Sequence, residues 1–293
     1  MGYWTTELIR LNGGRLIEAT IPAKMEEGIM EKLTNRLASL ALPNWRSANT
    51  FQDAILLPAA CGPKLFFRLV ETSPKSHDGP VSDVETLALS CLRDFRRAIG
   101  LRLSAPGIVD IRKVASCFET NAYRVKAVTL RTNLVYVDQI SGVTSYVPPP
   151  SIHVPSLIKD LYGIISKRLN GDAAVLASAF YGMCHFIAIH PLDDGNGRLG
   201  RALFMRLCAR GGISPQVSGA LIAVLHIKHA NLFYPGLMKY CLSGNIHALA
   251  DLLALSVSEI SNSSQALEYT SDMGQEHRET SNFLYSMNIP AWH

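Results

Sequence analysis

Apolar residues in the second half of the chain recur three or four positions apart, which is the spacing of one helix face. Breaks rich in glycine, proline or polar residues divide this pattern into segments of helical length. The helices predicted on this basis are 154–169, 173–189, 198–210, 217–228, 232–241 and 246–260. Segment 173–189 is apolar on almost every side, which is typical of a helix at the centre of a core. The fold is therefore predicted to be mainly α-helical.

The first half of the chain is more mixed. Helices are predicted at 26–40, 84–99 and 109–118. Ser82-Asp83-Val84-Glu85 has the spacing of a capping box, which marks the start of the second of these helices. The apolar run at 64–70 predicts a strand, and the polar stretch at 72–80 predicts a linker.

Residues 126–147 differ again, because β-branched and aromatic residues dominate and Gly142 offers a turn. This pattern predicts a β-hairpin that stops at Pro148-Pro149-Pro150, since proline cannot continue a strand ladder. Three parts are expected: an N-terminal extension of mixed α/β character at 1–80, a helical domain at 82–260 and a polar tail at 261–293.

Composition sets broad limits on function. With 48% hydrophobic and 18% charged residues, the 293-residue chain is predicted to be globular. A net charge of +4 is too small to indicate a nucleic-acid surface, so nucleic-acid binding is not expected. The six cysteines are scattered without metal-site spacing, which favours free thiols in a reducing, cytoplasmic compartment. The apolar runs contain polar interruptions, so no membrane span is predicted.

The most informative stretch is His190-Pro-Leu-Asp-Asp-Gly-Asn-Gly-Arg-Leu-Gly-Arg201. It joins the most apolar predicted helix to the next one through a glycine-containing turn. Such a turn binds anions, because unpaired N–H groups and the helix dipole both point at the ligand. Arg198 and Arg201 are unfavourable at a helix N-terminus unless a negatively charged group is bound there. Since they are three residues apart, they share one helix face and reach the same ligand.

Two further groups in this stretch suit phosphate chemistry. Asp194 supplies a hard oxygen ligand for Mg²⁺, which binds through one or two carboxylates together with phosphates. His190 is the one side chain of the cluster suited to proton transfer near neutral pH. His185, in the preceding apolar helix, is interpreted as a packing residue, and Asp193 as a solvated neighbour.

This stretch resembles the signature of the Fic domain family, His-Pro-Phe-x-(Asp/Glu)-Gly-Asn-Gly-Arg-x-x-Arg. Leu192 stands where the family has phenylalanine, an apolar exchange that predicts looser loop packing and unchanged chemistry. Tyr146-Val147-Pro148-Pro149-Pro150 also resembles a segment that precedes the motif in the family. The resemblance covers about residues 82–260 and implies a Fic-type helical bundle with a hairpin flap.

What the resemblance implies is transfer of AMP from ATP to a Ser, Thr or Tyr hydroxyl of a protein. His190 would act as the base, and Asp194 would hold Mg²⁺ against the phosphates. The remaining motif residues would bind the nucleotide: Gly195, Asn196 and Gly197 as the anion hole, Arg198 at the β-phosphate and Arg201 at the γ-phosphate. The resemblance also implies that Asn196 and Arg198 are catalytic residues together with His190. Tyr234 is a weaker candidate for an adenine neighbour, against a core aromatic.

The resemblance further implies that a target protein pairs with the flap, at about residues 134–147. Many family members carry an inhibitory Ser/Thr-x-x-x-Glu-Gly/Asn helix. Here Ser264 to Glu268 matches that pattern in part, and a separate inhibitory protein is the alternative. Other outcomes stay open at this point: removal of AMP, transfer of another phosphate-linked group, or a module that binds nucleotide without turnover. Phosphorylation is disfavoured, because the branch that phosphorylates has lysine at the position of Gly197.

Overall fold

The computed structural model describes much of the chain. The described residues are 4–10, 16–22, 27–38, 40, 53–62, 65, 66, 68, 83–100, 113, 114, 117, 130–135, 146–165 and 171–270. In order they form strands β1 (Trp4–Arg10) and β2 (Leu16–Pro22), then helices α1 (Glu27–Ala38), α2 (Asp53–Cys61), α3 (Asp83–Gly100), α4 (Val154–Ile165), α5 (Asp172–Ile189), α6 (Asn196–Arg210), α7 (Pro215–Ala223), α8 (Ala230–Ser243) and α9 (His247–Thr270). A short 3₁₀ turn, Ser151–His153, precedes α4, and a π-helical segment, Val224–Lys228, joins α7 to α8.

Helix α5 is the centre of the bundle. It packs against α6, α4 and α1, and its residues from Val175 to Phe186 are all buried. The helix is long and apolar enough to span a membrane by length and composition, yet 78% of it is buried inside the protein. This is the pattern of a core helix that is covered on every side.

Helix α2 contributes to the wall around α6. It packs against α3, α6 and α7, and its buried residues Leu56, Ala59 and Ala60 belong to the main core. The N-terminal part of the chain therefore shares the core of the helical domain. Strands β1 and β2 pair antiparallel, with Trp4 opposite Pro22 and Arg10 opposite Leu16.

The helices predicted in the second half are observed, with bounds that differ by a few residues. The largest differences are that α9 reaches Thr270 and that the predicted helix 217–228 divides at Ala223 into α7 and the π-helical segment. Helix α1 matches the prediction at 26–40, and α3 the prediction at 84–99. The predicted helix 109–118 lies mostly outside the described residues.

The predicted strand at 64–70 is wrong over described residues. Positions 65, 66 and 68 are helical and not extended, and Phe66 N–H donates to the Gly62 carbonyl at 3.0 Å. A short apolar run does not distinguish a buried helical turn from a buried strand, and tertiary packing decided for the helix. The first residues of the expected polar tail, 261–270, continue α9. Their serines are compatible with a helix because such hydroxyls bond back to the preceding turn, as Ser261 does to the Val257 carbonyl at 2.8 Å.

The predicted hairpin flap stays a prediction. Residues 130–135 have no regular strand structure, Tyr146 forms an isolated bridge, and residues 136–145 lie outside the described part of the chain. The cysteines are free thiols: Cys61 is partly buried and the other five are buried, as the sequence predicted.

Candidate active site

The turn between α5 and α6 carries the motif residues. Helix α5 ends at Ile189, and His190 follows as its C-cap with φ 51° and ψ 59°. It is the one non-glycine residue with positive φ among those the structure describes. This left-handed conformation costs a residue with a Cβ about 1–2 kcal/mol, so the surrounding contacts must hold it in place.

The loop that follows is closed by Asn196. Its side-chain Oδ1 accepts from the Leu192 main-chain N–H at 2.9 Å, and its Nδ2 donates to the Leu192 carbonyl at 2.8 Å. The Leu192 side chain itself is buried in the core beneath the loop, with 1% exposure. The Asn196 side chain is thus engaged in shaping the loop, and its main-chain N–H belongs to the first turn of α6.

Helix α6 begins directly after Gly195, which caps it with φ 81°. The first N–H groups of a helix have no acceptor within it, so this turn presents donors and a positive dipole end. Asp194 lies beside it: its Oδ1 accepts from Gly195 N–H at 2.6 Å, and its Oδ2 lies 3.8 Å from Arg198 Nη2. The Asp194 side chain is 63% exposed, whereas the Arg198 side chain is 12% exposed. A partly shielded cation and an open carboxylate therefore flank the helix mouth.

Arg201 lies one turn further along and is buried, with 5% exposure. Its Nε donates to the Ala59 carbonyl of α2 at 2.6 Å. A Cβ built on Gly62 would lie 2.9 Å from Arg201 Nη2, and one built on Gly197 would lie 3.3 Å from Nη1. The guanidinium is thus held between the end of α2 and the first turn of α6, and its approach to Gly62 is too close for a residue with a Cβ. Burial, and the neighbouring charge of Arg198, lower the pKa of Arg201.

The electrostatic surroundings keep His190 neutral. Burial, and to a smaller extent the positive charge of Arg131, lower its pKa to about 4, while the Ile187 carbonyl and Asp194 act in the opposite direction. Nδ1 of His190 is buried and makes no hydrogen bond within the described part of the protein, whereas the residue as a whole is partly exposed. A neutral imidazole is able to accept a proton, so the charge state of His190 suits a base.

Two other histidines lie in the surrounding core. His185 contacts the hydroxyls of Tyr181 at 3.1 Å and Tyr240 at 2.6 Å through Nδ1, which confirms its packing role. His226, in the π-helical segment, contacts the Tyr234 hydroxyl at 3.0 Å through Nδ1. Tyr234 is partly buried and coupled electrostatically to Arg201, so it lies near the arginine side of the site.

The structure thus brings the predicted residues from His190 to Arg198 onto one turn, and adds Arg201 behind it. Helix α2, whose Ala59 carbonyl accepts from Arg201, was not predicted. The sequence signal for it was the run of small and apolar residues at 54–61, which Gly62 follows. Arg131 was not predicted either, and no pattern in the sequence marks it. Residues 264–268 lie in α9, and the Glu268 side chain is outside the described residues.

Part of the chain is similar to known proteins. Residues 110–208 match the model of the Fic/DOC family, a range that contains the whole motif. A probable protein adenylyltransferase of Aquifex aeolicus (strain VF5) is 30% identical over 76 residues. That match covers 26% of this chain and 23% of the relative, so most of the relative's length has no counterpart in the match.

Solved structures agree on the fold. A Fic family protein from Desulfovibrio desulfuricans G20 superimposes with a TM-score of 0.53 at 14% identity, over 85% of this chain and 78% of that one. Fic-1 (residues 134–508) from C. elegans superimposes with a TM-score of 0.54 at 18% identity, over 83% of this chain and 74% of that one. At identities this low, a superposition shows a shared fold and nothing about function. Residues 110–208, which contain the motif, are therefore similar in sequence to the Fic/DOC family, and the chain has the fold of the Fic proteins it superimposes on.

Proposed function

We propose that this protein transfers AMP from ATP to a hydroxyl side chain of a target protein, with Mg²⁺. The observation that carries the proposal is the turn 190–195, which places a neutral histidine directly before a helix N-terminus that is flanked by two arginines. The name of the Aquifex relative, a probable protein adenylyltransferase, supports AMP as the transferred group.

The nucleotide phosphates would lie at the N-terminus of α6, where main-chain N–H groups and the helix dipole favour anions. Arg198 is placed to contact them from the same turn. Arg201 would meet the terminal phosphate through Nη1 or Nη2, since its Nε is engaged with Ala59. Positioning and charge neutralisation supply most of the catalysis in transfers of this kind.

Asp194 fits the part of a magnesium ligand. Its side chain is 63% exposed beside the anion-binding turn, and Gly195 N–H holds Oδ1 in a fixed orientation. Within the described ranges no cluster of three or more His, Cys, Asp or Glu residues gathers to hold a metal. A site of one carboxylate completed by phosphates and water is the kind that Mg²⁺ takes. The ion would neutralise charge on the phosphates.

His190 would accept the proton of the target hydroxyl while the hydroxyl oxygen attacks the α-phosphorus of ATP. The bond between the α-phosphorus and the bridging oxygen breaks, and pyrophosphate leaves. Because Nδ1 is buried, Nε2 would be the ring nitrogen that meets a substrate. The lowered pKa keeps the ring neutral at neutral pH, and Nε2 would accept the proton in the tautomer that carries the hydrogen on Nδ1.

The target would be held by main-chain pairing with the flap at residues 134–147. Such strand addition aligns a side chain while reading little of its sequence. Exchanging a flap residue for proline would remove one N–H donor, so it would weaken target labelling and leave ATP binding intact.

Labelled nucleotides test the reaction. The protein is incubated with a cell lysate, Mg²⁺ and ATP labelled at either the α- or the γ-phosphate. We expect label on protein from α-labelled ATP alone, and none with His190→Ala. Label from γ-labelled ATP would indicate phosphorylation instead. No label from either nucleotide would contradict the proposal and favour a nucleotide-binding module.

A further inference from the structure

Arg131 is a buried arginine outside the motif, with 2% exposure. Its Nε donates to the His190 carbonyl at 2.7 Å, and its Nη2 donates to the carbonyls of Ile189, at 3.4 Å, and Pro149. Its main-chain N–H donates to the Pro191 carbonyl at 2.9 Å. Arg131 thus donates hydrogen bonds to the carbonyls of three consecutive residues centred on His190.

These carbonyls lie where α5 ends. The last carbonyls of a helix have no partner within it, and a cation is favoured at this end of the dipole. The planar guanidinium offers several donors in a rigid fork, which suits acceptors that lie in different directions. Its other nitrogen, Nη1, donates to the Asn133 carbonyl at 3.0 Å, so the fork also ties the site to the chain leading into the predicted flap.

The bonds act on the backbone of the proposed base. His190 has φ 51°, a conformation that persists only where neighbours over-determine it. Arg131 holds the peptide groups on both sides of the His190 Cα, because it binds the carbonyls of Ile189 and His190. The direction in which the imidazole leaves the backbone is set by those two peptide planes.

We propose that Arg131 is a positioning residue, which fixes the backbone of His190 so that its imidazole meets the target hydroxyl. The proposal rests on the proposed AMP transfer, since it assigns Arg131 its part in that reaction. Arg131 itself contacts neither substrate nor nucleotide in this role. The positive charge of Arg131 has a second effect, because it lowers the pKa of the His190 ring, while Asp194 raises it.

Arg131→Met, Arg131→Lys and Arg206→Met test the proposal. Arg206 is the matched control: it is a partly buried arginine that donates to a main-chain carbonyl, that of Ala98 at 2.9 Å, away from the motif turn. With Arg131→Met we expect kcat to fall about 100-fold, the loss that a displacement of about 1 Å produces, with an unchanged Kd for ATP. Arg206→Met should leave kcat unchanged. Arg131→Lys keeps the charge without the fork, so kcat should stay at least about tenfold below wild type.

The His190 imidazole gives a readout besides activity. Its pKa, measured by NMR without nucleotide, should rise in Arg131→Met and stay near the wild-type value in Arg131→Lys, while Arg206→Met leaves it unchanged. Among the described residues, Arg131 and Asp194 are the charged groups that act on the ring, so Asp194→Asn should shift the pKa downward. If Arg131→Met does not fold, Arg131→Lys alone decides the positioning claim through kcat.

The outcomes separate the two proposals. Wild-type kcat in either Arg131 variant would overturn the positioning role while leaving AMP transfer intact. A wild-type protein that transfers no AMP would overturn the proposed function. In that case the His190 imidazole tests the role of Arg131. An unchanged His190 pKa together with unchanged ring chemical shifts in both Arg131 variants would show that Arg131 does not influence His190.

Discussion

Arg201 Nε donates a hydrogen bond of 2.6 Å to the main-chain carbonyl of Ala59. This contact joins the second arginine of the motif to α2, a helix that lies 142 residues earlier in the chain. A cation that would reach a terminal phosphate is therefore oriented by a segment outside the motif. The approach of α2 is close because Gly62 has no Cβ to meet the guanidinium.

The two motif arginines differ in burial, and this difference is testable. Arg201→Lys should lower the free energy of unfolding by about 1–3 kcal/mol, because a single ammonium does not reproduce the buried Nε bond to Ala59. Arg198→Lys should cost about 0–1 kcal/mol, since the Arg198 ion pair with Asp194 spans 3.8 Å and the carboxylate is exposed. Urea unfolding of both variants measures this. An equal or larger loss in Arg198→Lys would show that the Ala59 contact does not stabilise the fold.

His190→Ala should reduce the proposed AMP transfer by about 10²–10⁴-fold, the contribution of a positioned base, with little effect on ATP binding. His247→Ala is the control, because His247 is exposed at the start of α9. Initial rates with α-labelled ATP and equilibrium binding of ATP give the two readouts. Transfer by His190→Ala at the wild-type rate would exclude the imidazole as the base.

Stability should fall in weak acid. Burial lowers the pKa of His185 to about 3 and that of His190 to about 4, and it holds the pKa of His226 well below its usual value. All three are neutral in the folded state and gain protons in the unfolded state below about pH 6.5. Their contribution is fully present above that pH and is lost as the pH falls toward 4 and then 3.

Each such proton adds about 1.4 kcal/mol per pH unit to the slope of the unfolding free energy. Urea unfolding at pH 8, 6 and 5 measures the slope. His185→Gln should reduce it by about one proton between pH 6 and 5, whatever its effect at pH 8. A slope identical to wild type would show that His185 does not carry a depressed pKa.

Glycine-to-alanine exchanges at two positions distinguish the effect of close packing on stability from the effect of helix propensity. A Cβ at Gly200 would lie 2.9 Å from Ile187 Cγ1, where α6 crosses α5, so Gly200→Ala should destabilise the protein by about 1–3 kcal/mol. Gly163 is exposed within α4, and no described residue lies within 4 Å of such a Cβ. Gly163→Ala should therefore stabilise by about 0.5–1 kcal/mol. Thermal unfolding of both variants gives the comparison, and the same sign for both would contradict it.

The local part of the site was predictable from residue types. Histidine, aspartate, glycines and two arginines at fixed spacing predicted a base and an anion-binding helix start, and in the structure these residues lie on the turn between α5 and α6 and in the first part of α6. The helices of the second half were predictable because their apolar spacing matches the helical repeat. At 65–68 this signal failed, since a short apolar run carries no distinguishing period.

Two features at the site required the fold. Helix α2 covers Arg201, and Arg131 donates hydrogen bonds to the carbonyls around His190. They join segments that are 142 and 59 residues apart in the chain. Both involve main-chain carbonyls, which every residue carries, so their partners cannot be read from residue types.

The sequence by itself determined the helical class of the fold, the turn that carries the motif and the chemical groups along it, because each of these depends on neighbours within a few residues. Only the tertiary structure decided how deeply Arg201 is buried, which residue supports His190, and how far the His190 pKa departs from its usual value. Those properties depend on desolvation and on contacts between distant segments, and the packing of α2, α5 and α6 sets both.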